Sequence, residues 1–254
     1  MIKPPSTHRI QATTLGDLLL TSSDQAGDAP LLIFPDEKVT YGQMVERAYA
    51  HARRLRALGV GPGDSVGILM ANCPVYLEIL FGASMLGAMV VPLNARYKAP
   101  ELAYVIENAD LEVLITSDLI ADYADFGALL SAALPELESA DAVRLNLSTA
   151  PRLNQIVMLG EREQPGCRSP AAYQALEEKI EQAEVDALRV AVRLEQPAIM
   201  MYTSGTTANP KGCPLSHGLL TRNGINMHQE RYFLKPDDVF WAHCRCFICR
   251  RFCR

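Results

Sequence analysis

The sequence predicts an α/β protein, a mostly parallel sheet covered by helices, on two observations. Short apolar runs of the fully buried kind, Ser65–Ala71, Ala88–Leu93, Val113–Thr116 and Gln155–Leu159, alternate with stretches whose apolar residues recur at helical intervals. Glycine and proline punctuate the change from one to the other, at Gly59-Val-Gly-Pro-Gly-Asp64, Pro74, Gly87 and Pro135. Units of strand, helix and parallel strand close by right-handed crossovers and need a helical layer over the sheet.

From the start of the chain, Thr14–Thr21 begins a helix with Leu15, Leu18 and Leu19 on one side. Asp24–Pro30 reads as a loop and Leu31–Phe34 as a short strand. Thr40 and Gln43 have capping-box spacing, and Met44, Ala48, Ala52, Leu55 and Leu58 follow at helical intervals as far as Gly59. The charges of that helix, Arg53, Arg54 and Arg56, read as a solvated face. Pro74 opens a second helix, apolar from Val75 to Leu86, and Gly87 closes it. Glu101–Asn108 and Leu119–Leu134 read as further helices, and Glu136–Pro151 and Gly160–Ser169 as polar connections. Ala171–Glu184 reads as an exposed helix, with Glu177 and Glu181 facing solvent and no catalytic role. Ser216 can cap a last helix reaching about Tyr232. There is no internal repeat and no low-complexity tract.

Composition bounds the partners. A net charge of -5 over 254 residues gives no electrostatic reason to expect nucleic acid or an anionic membrane. No segment reaches the roughly eighteen unbroken apolar residues of a membrane-spanning helix, and Met1–Gln11 has no apolar leader, so the expected address is the cytoplasm. Of seven cysteines, Cys73, Cys167 and Cys213 are scattered as isolated thiols, while Cys244, Cys246, Cys249 and Cys253 crowd the end of the chain.

One stretch carries chemistry. The apolar run Pro197–Tyr202 breaks into Thr203, Ser204, Thr206 and Thr207 around Gly205, followed by Ala208, Asn209, Pro210, Lys211 and Gly212. Small residues let successive backbone N–H groups turn toward one anion, the hydroxyls add donors, and a lysine supplies a compact positive charge. Pro210 stands where a Walker A loop needs its second glycine, which excludes that class.

Thr203–Gly212 resembles the phosphate loop of the adenylate-forming superfamily of acyl-CoA synthetases, aryl-CoA ligases and luciferases, Thr-Ser-Gly-Thr-Thr-Gly-x-Pro-Lys-Gly. It departs at Ala208, where the family has glycine. If that position takes φ > 0, alanine costs on the order of 1 kcal/mol. Ser216-His217, Leu58–Asp64 and Gly87–Asn94, followed by Tyr97, Glu101 and Leu102, are similar to further segments of the same family, so the likeness spans Leu15–Trp241.

The resemblance implies the first part of the large N-terminal domain, residues 1–241, of an AMP-forming acid–CoA ligase. A carboxylic acid attacks the α-phosphate of ATP to give acyl-AMP and pyrophosphate, and coenzyme A then displaces AMP. Thr203, Ser204, Gly205, Thr206, Thr207, Ala208, Asn209, Lys211 and His217 would hold ATP beside Mg²⁺, with Lys211 and Thr206 as the catalytic groups. A histidine at a helix start also serves as a structural hydrogen-bonding group. The adenine, ribose and adenylation-lysine motifs of the family find no counterpart in the sequence, nor does its small C-terminal domain, so the chain is expected to be inactive alone.

Residues 242–254 break the pattern. Regrouping their degenerate codons from the third base of the Ala242 codon permits Pro-Leu-Pro-Met-Phe-His, which fits the Pro-Leu-Pro-x-Phe-His that the family has there, so the Cys/Arg-rich tail reads as a frameshift product. The alternative is a non-catalytic phosphate-binding or interaction module whose four tail thiolates bind a metal. Their spacing, within ten residues, leaves no room for a folded unit between ligand pairs.

Overall fold

The computed structural model describes residues 12–34, 37–203, 209–233 and 238–239. Thr14 caps α1 (Leu15–Ala26), its side-chain oxygen accepting from the N–H of Asp17. The helix continues through Asp24, where a loop was expected, before β1 (Pro30–Ile33) and β2 (Lys38–Thr40) pair antiparallel. The expected capping box starts α2 (Tyr41–Ala57): Gln43 N–H donates to Thr40 Oγ1, and Thr40 N–H to Gln43 Oε1.

From there the chain alternates as predicted. It runs through β3 (Ser65–Leu69), α3 (Pro74–Met85), β4 (Met89–Pro92), α4 (Ala99–Asn108), β5 (Leu111–Ser117) and α5 (Phe126–Ala133). Next come β6 (Gln155–Leu159), the short β7 (Cys167–Arg168), α6 (Pro170–Gln174) and α7 (Gln182–Ala191). Finally β8 (Pro197–Thr203) turns back into β9 (Lys211–Ser216), and α8 (His217–Asn226) follows, with a π-helical turn to Tyr232. The seven-stranded sheet has the order β7-β6-β5-β3-β4-β8-β9 and is parallel except for the β8–β9 hairpin.

Alternate side chains on each strand feed two separate cores. Val66 and Ile68 of β3, Val90, Val113, Ile115 and Val157 pack with residues of α1, α2, α3 and α7. Leu69, Val91, Leu114 and Ile156 pack with α4 and α5. A sheet buried on both faces in this way is the mark of parallel strands with helical crossovers.

Four readings of the sequence are corrected. Leu119–Leu134 is helical only from Phe126. Asp125 caps that helix with an oxygen accepting from Ala128 N–H, and Asp118, just upstream, accepts from the N–H groups of Glu161 and Arg162. The expected helix Ala171–Glu184 is broken by Ile180 and Glu181, both in extended backbone, into α6, a 3-10 turn at Glu177–Lys179 and α7. Glu177 does not face solvent, and Arg53 and Arg54 are not a solvated face. Arg53 and Arg54 both bind the Glu177 carboxylate, Arg54 at 2.5 Å, and Arg56 binds Glu184 at 2.6 Å, which laces α2 to this segment. The stretch 136–151 is polar in composition but inserts Leu145 and Leu147 into the second core.

Helices α2 and α3 cross at close range over Gly82. A Cβ there would lie 2.8 Å from Ala48 O and 2.9 Å from Ala52 N, both backbone atoms. Beside the crossing, a buried polar chain links three helices. His51 Nδ1 lies 3.1 Å from Tyr173 Oη, His51 Nε2 lies 3.4 Å from Glu78, and Arg47 reaches the other oxygen of Glu78 at 3.1 Å. Burial pushes the His51 pKa below its usual value. Burial alone would raise that of Glu78, but the hydrogen bonds and charges of His51 and Arg47 more than offset it and hold the carboxyl below its usual range.

Two outcomes follow from this packing. Gly82→Ala should cost about 1–3 kcal/mol, because backbone and not a pliable side chain must move; an unchanged urea midpoint would refute the close crossing. Depressed pKa values at His51 and Glu78 mean that the unfolded chain binds protons first on acidification. Stability is therefore full above about pH 6.5 and falls below it, first through His51 and then through Glu78. Melting temperature should drop between about pH 7 and pH 5, and His51→Asn should reduce that slope; equal slopes in the two proteins would count against the assignment.

Candidate functional site

The β8–β9 hairpin presents the predicted site at the carboxyl edge of the parallel strands, where open α/β sheets place their ligands. Thr203 is the last residue of β8 and Lys211 the first of β9. They are direct cross-strand partners, so both side chains leave the same face at the mouth of the hairpin. Both are exposed, as is Asn209. Lys211 forms no ion pair with any described residue, so its charge is available to a ligand. Ser204, Gly205, Thr206, Thr207 and Ala208 lie outside the described residues, and so does the expectation of strain at Ala208. The Cys/Arg-rich tail lies outside them as well.

His217 sits at the opposite end of the hairpin. It opens α8, and the length of β9 separates it from Lys211 by about 17 Å or more at the usual rise of a strand. Ser216 caps α8 as expected, accepting from Leu219 N–H at 3.3 Å. The imidazole is fully buried, and its Nδ1 accepts from Leu15 N–H at 3.2 Å, one of the donors that the first turn of α1 leaves unpaired. Nδ1 as acceptor places the hydrogen on Nε2, which has no hydrogen-bond partner among the described residues. Burial, opposed weakly by Asp17, lowers the pKa to about 4, so the ring is neutral near pH 7. Thr221 adds a second tie, its hydroxyl donating to Thr13 O at 2.9 Å. His217 N–H and Gly218 N–H donate to Gln196 O and Leu194 O, which closes the base of the hairpin.

Tyr202 is the residue that sequence reasoning passed over. It was counted as part of an apolar run, and it is buried, but its hydroxyl donates to Asn108 Oδ1 at 2.7 Å. Burial first, with Tyr104, Tyr97 and Asp110 nearby, pushes its pKa up to about 12, so the phenol remains a donor. Across the hairpin its partner is Gly212. A Cβ on Gly212 would meet Tyr202 Cζ at 3.2 Å and Met200 Sδ at 2.8 Å, so the glycine of Pro-Lys-Gly leaves room for the tyrosine ring. No local signal announces the Asn108 contact, because 94 residues separate the partners.

Among the described residues no helix is long and apolar enough to cross a membrane, and no group of three or more His, Cys, Asp or Glu side chains converges to hold a metal ion.

Comparison with known proteins agrees with the fold. The chain is 33% identical over 192 residues to feruloyl-CoA synthase of an Amycolatopsis species, covering 76% of this chain and 31% of that protein. It is 29% identical over 261 residues to the acyl-CoA ligase sidI of Aspergillus fumigatus, covering 96% and 41%. Among solved structures, the anthranilate CoA ligase AuaEII in complex with anthranoyl-AMP superposes with a TM-score of 0.67 at 24% identity, over 85% of this chain and 36% of that one. The chain thus spans less than half the length of the curated relatives it matches. The AMP-binding enzyme family profile matches residues 20–253, nearly the whole sequence, and the chain belongs to that family.

Proposed function

We propose that this chain supplies the phosphate-holding part of an AMP-forming acid–CoA ligase. The observation that carries this reading is the pairing of Thr203 with Lys211 at the carboxyl edge of the sheet, with Lys211 in no ion pair among the described residues. In the reaction a carboxylate oxygen bonds to the α-phosphorus of ATP as the bond to the leaving pyrophosphate breaks. The thiol of coenzyme A then takes the acyl group and releases AMP. The protein's task in such a reaction is to position the phosphates and to neutralise the charge that collects on the departing group.

In this reading Lys211 and Thr206 neutralise the leaving pyrophosphate. The hydroxyls of Thr203, Ser204 and Thr207 and the backbone of Gly205, Ala208 and Asn209 cradle its oxygens. Mg²⁺ would arrive on the nucleotide, since such ions are held largely by substrate phosphates and water. His217, at the far end of β9, serves this site as a support. The acyl substrate is a carboxylic acid and the second substrate coenzyme A; the names of relatives and structural neighbours point to aryl and fatty acids as the first to try. With less than half of its relatives' length in hand, the chain alone is proposed to bind Mg·ATP without turning it over.

Calorimetric titration of the chain with Mg·ATP should therefore show binding, and Lys211→Ala should weaken it about 10- to 100-fold, the worth of a charge-assisted phosphate contact. Equal affinity of the two proteins would sink the assignment of Lys211. ATP–pyrophosphate exchange, assayed with a panel of aryl, fatty and alicyclic acids, should stay at background; acid-dependent exchange would show that the chain completes adenylation by itself.

A further inference from the structure

The β8–β9 hairpin is an outer feature of the sheet. β4 and β8 share a single registered ladder pair, Val90 with Ile199, and on the far side residues 211–214 of β9 are exposed. With its outer strand exposed, the hairpin gains from further ties if its mouth is to keep one position. At the base, the Gln196, Leu194, Leu15 and Thr13 contacts of α8 supply them. At the mouth, the described residues offer one side-chain tie, the bond from Tyr202 to Asn108.

We infer that Asn108 is a positioning residue for the phosphate loop, acting through Tyr202. Asn108 ends α4, a helix anchored in the second core by Leu102, Val105 and Ile106. Its side-chain oxygen takes the Tyr202 hydrogen and so fixes the far end of the phenol ring. That ring lies against Gly212, the cross-strand partner of Tyr202, one pair from Thr203 and Lys211. The contact therefore runs from a rigid helix, through the ring, to both strands at the point where the loop leaves them. Tyr202→Phe keeps the ring and its packing and removes only the bond. This role rests on the reading of residues 203–212 as the loop that holds phosphate.

Amide hydrogen exchange of the full chain, without nucleotide, tests the tether directly. Asn108→Ala and Tyr202→Phe should each speed exchange in peptides covering 203–212 by about fivefold, the effect of one lost hydrogen bond on local opening, while peptides from β3 and β5 stay unchanged. The double variant should be no faster than either single one, because both remove the same bond. Asn108→Asp retains the accepting oxygen and should restore the slow rate. Unchanged exchange in 203–212, additive effects, or an increase shared with β3 and β5 would each overturn the tether. Mg·ATP affinity measured on the same proteins separates the two readings. A loss of about fivefold in both single variants supports the positioning role. If the unaltered chain binds no Mg·ATP while the exchange pattern holds, the tether stands and the nucleotide reading fails.

Discussion

A strand with no solvent-facing side sets the terms for this molecule. All five residues of β3 are buried, and its neighbours β4 and β5 lie almost as deep. Every side chain on such a strand must meet apolar atoms, above the sheet or below it, so the chain has to build two helical layers. One layer is crowded enough that α2 and α3 meet over a glycine, and its outer rim is fastened by arginine–carboxylate pairs from α2 to Glu177 and Glu184. The other layer is completed by the leucines of a segment that composition alone would leave in solvent.

The cover thins toward β8 and β9, where the proposed site lies. Ile199, Met200 and Met201 are only half-buried, and most of β9 is exposed. Backbone that offers its N–H groups to an anion cannot lie under a helical layer, so the rim of the sheet suits the proposed phosphate loop. Exposure carries a mechanical cost, since a hairpin at the rim lacks the packing that fixes the inner strands. Ties to α4 at one end and to the start of α1 at the other offset it. His217 illustrates the division of labour. Its buried, neutral ring satisfies an α1 backbone donor, and nothing about it requires contact with a ligand.

Much of this was legible because the signals are local. Thr40 and Gln43 announce a capping box three residues apart, Pro74 and Gly87 bracket a helix, and the break from the apolar run Pro197–Tyr202 into polar residues marks the end of β8. What escaped depends on residues that meet only after folding. Glu177 finds Arg54 across 123 positions, and His217 finds Leu15 across 202. Asp118 shows the same limit on a shorter scale. Its carboxylate is drawn to the loop after β6 and not to a helix of its own, so a helical pattern beginning at Leu119 was misleading. Tyr202 read as one more apolar residue because hydrophobicity ranks its ring and ignores its hydroxyl.

The outer edge of the sheet has one more consequence. β9 carries Pro214 opposite Met200, and proline is tolerated in a strand where its missing donor faces away from the neighbour. Among the described residues no strand covers this edge, and an edge lacking a donor at its middle, and charged at one end by Lys211, is a poor template for a passing strand of another molecule. The hairpin at the rim is thus guarded against being zipped into a foreign sheet.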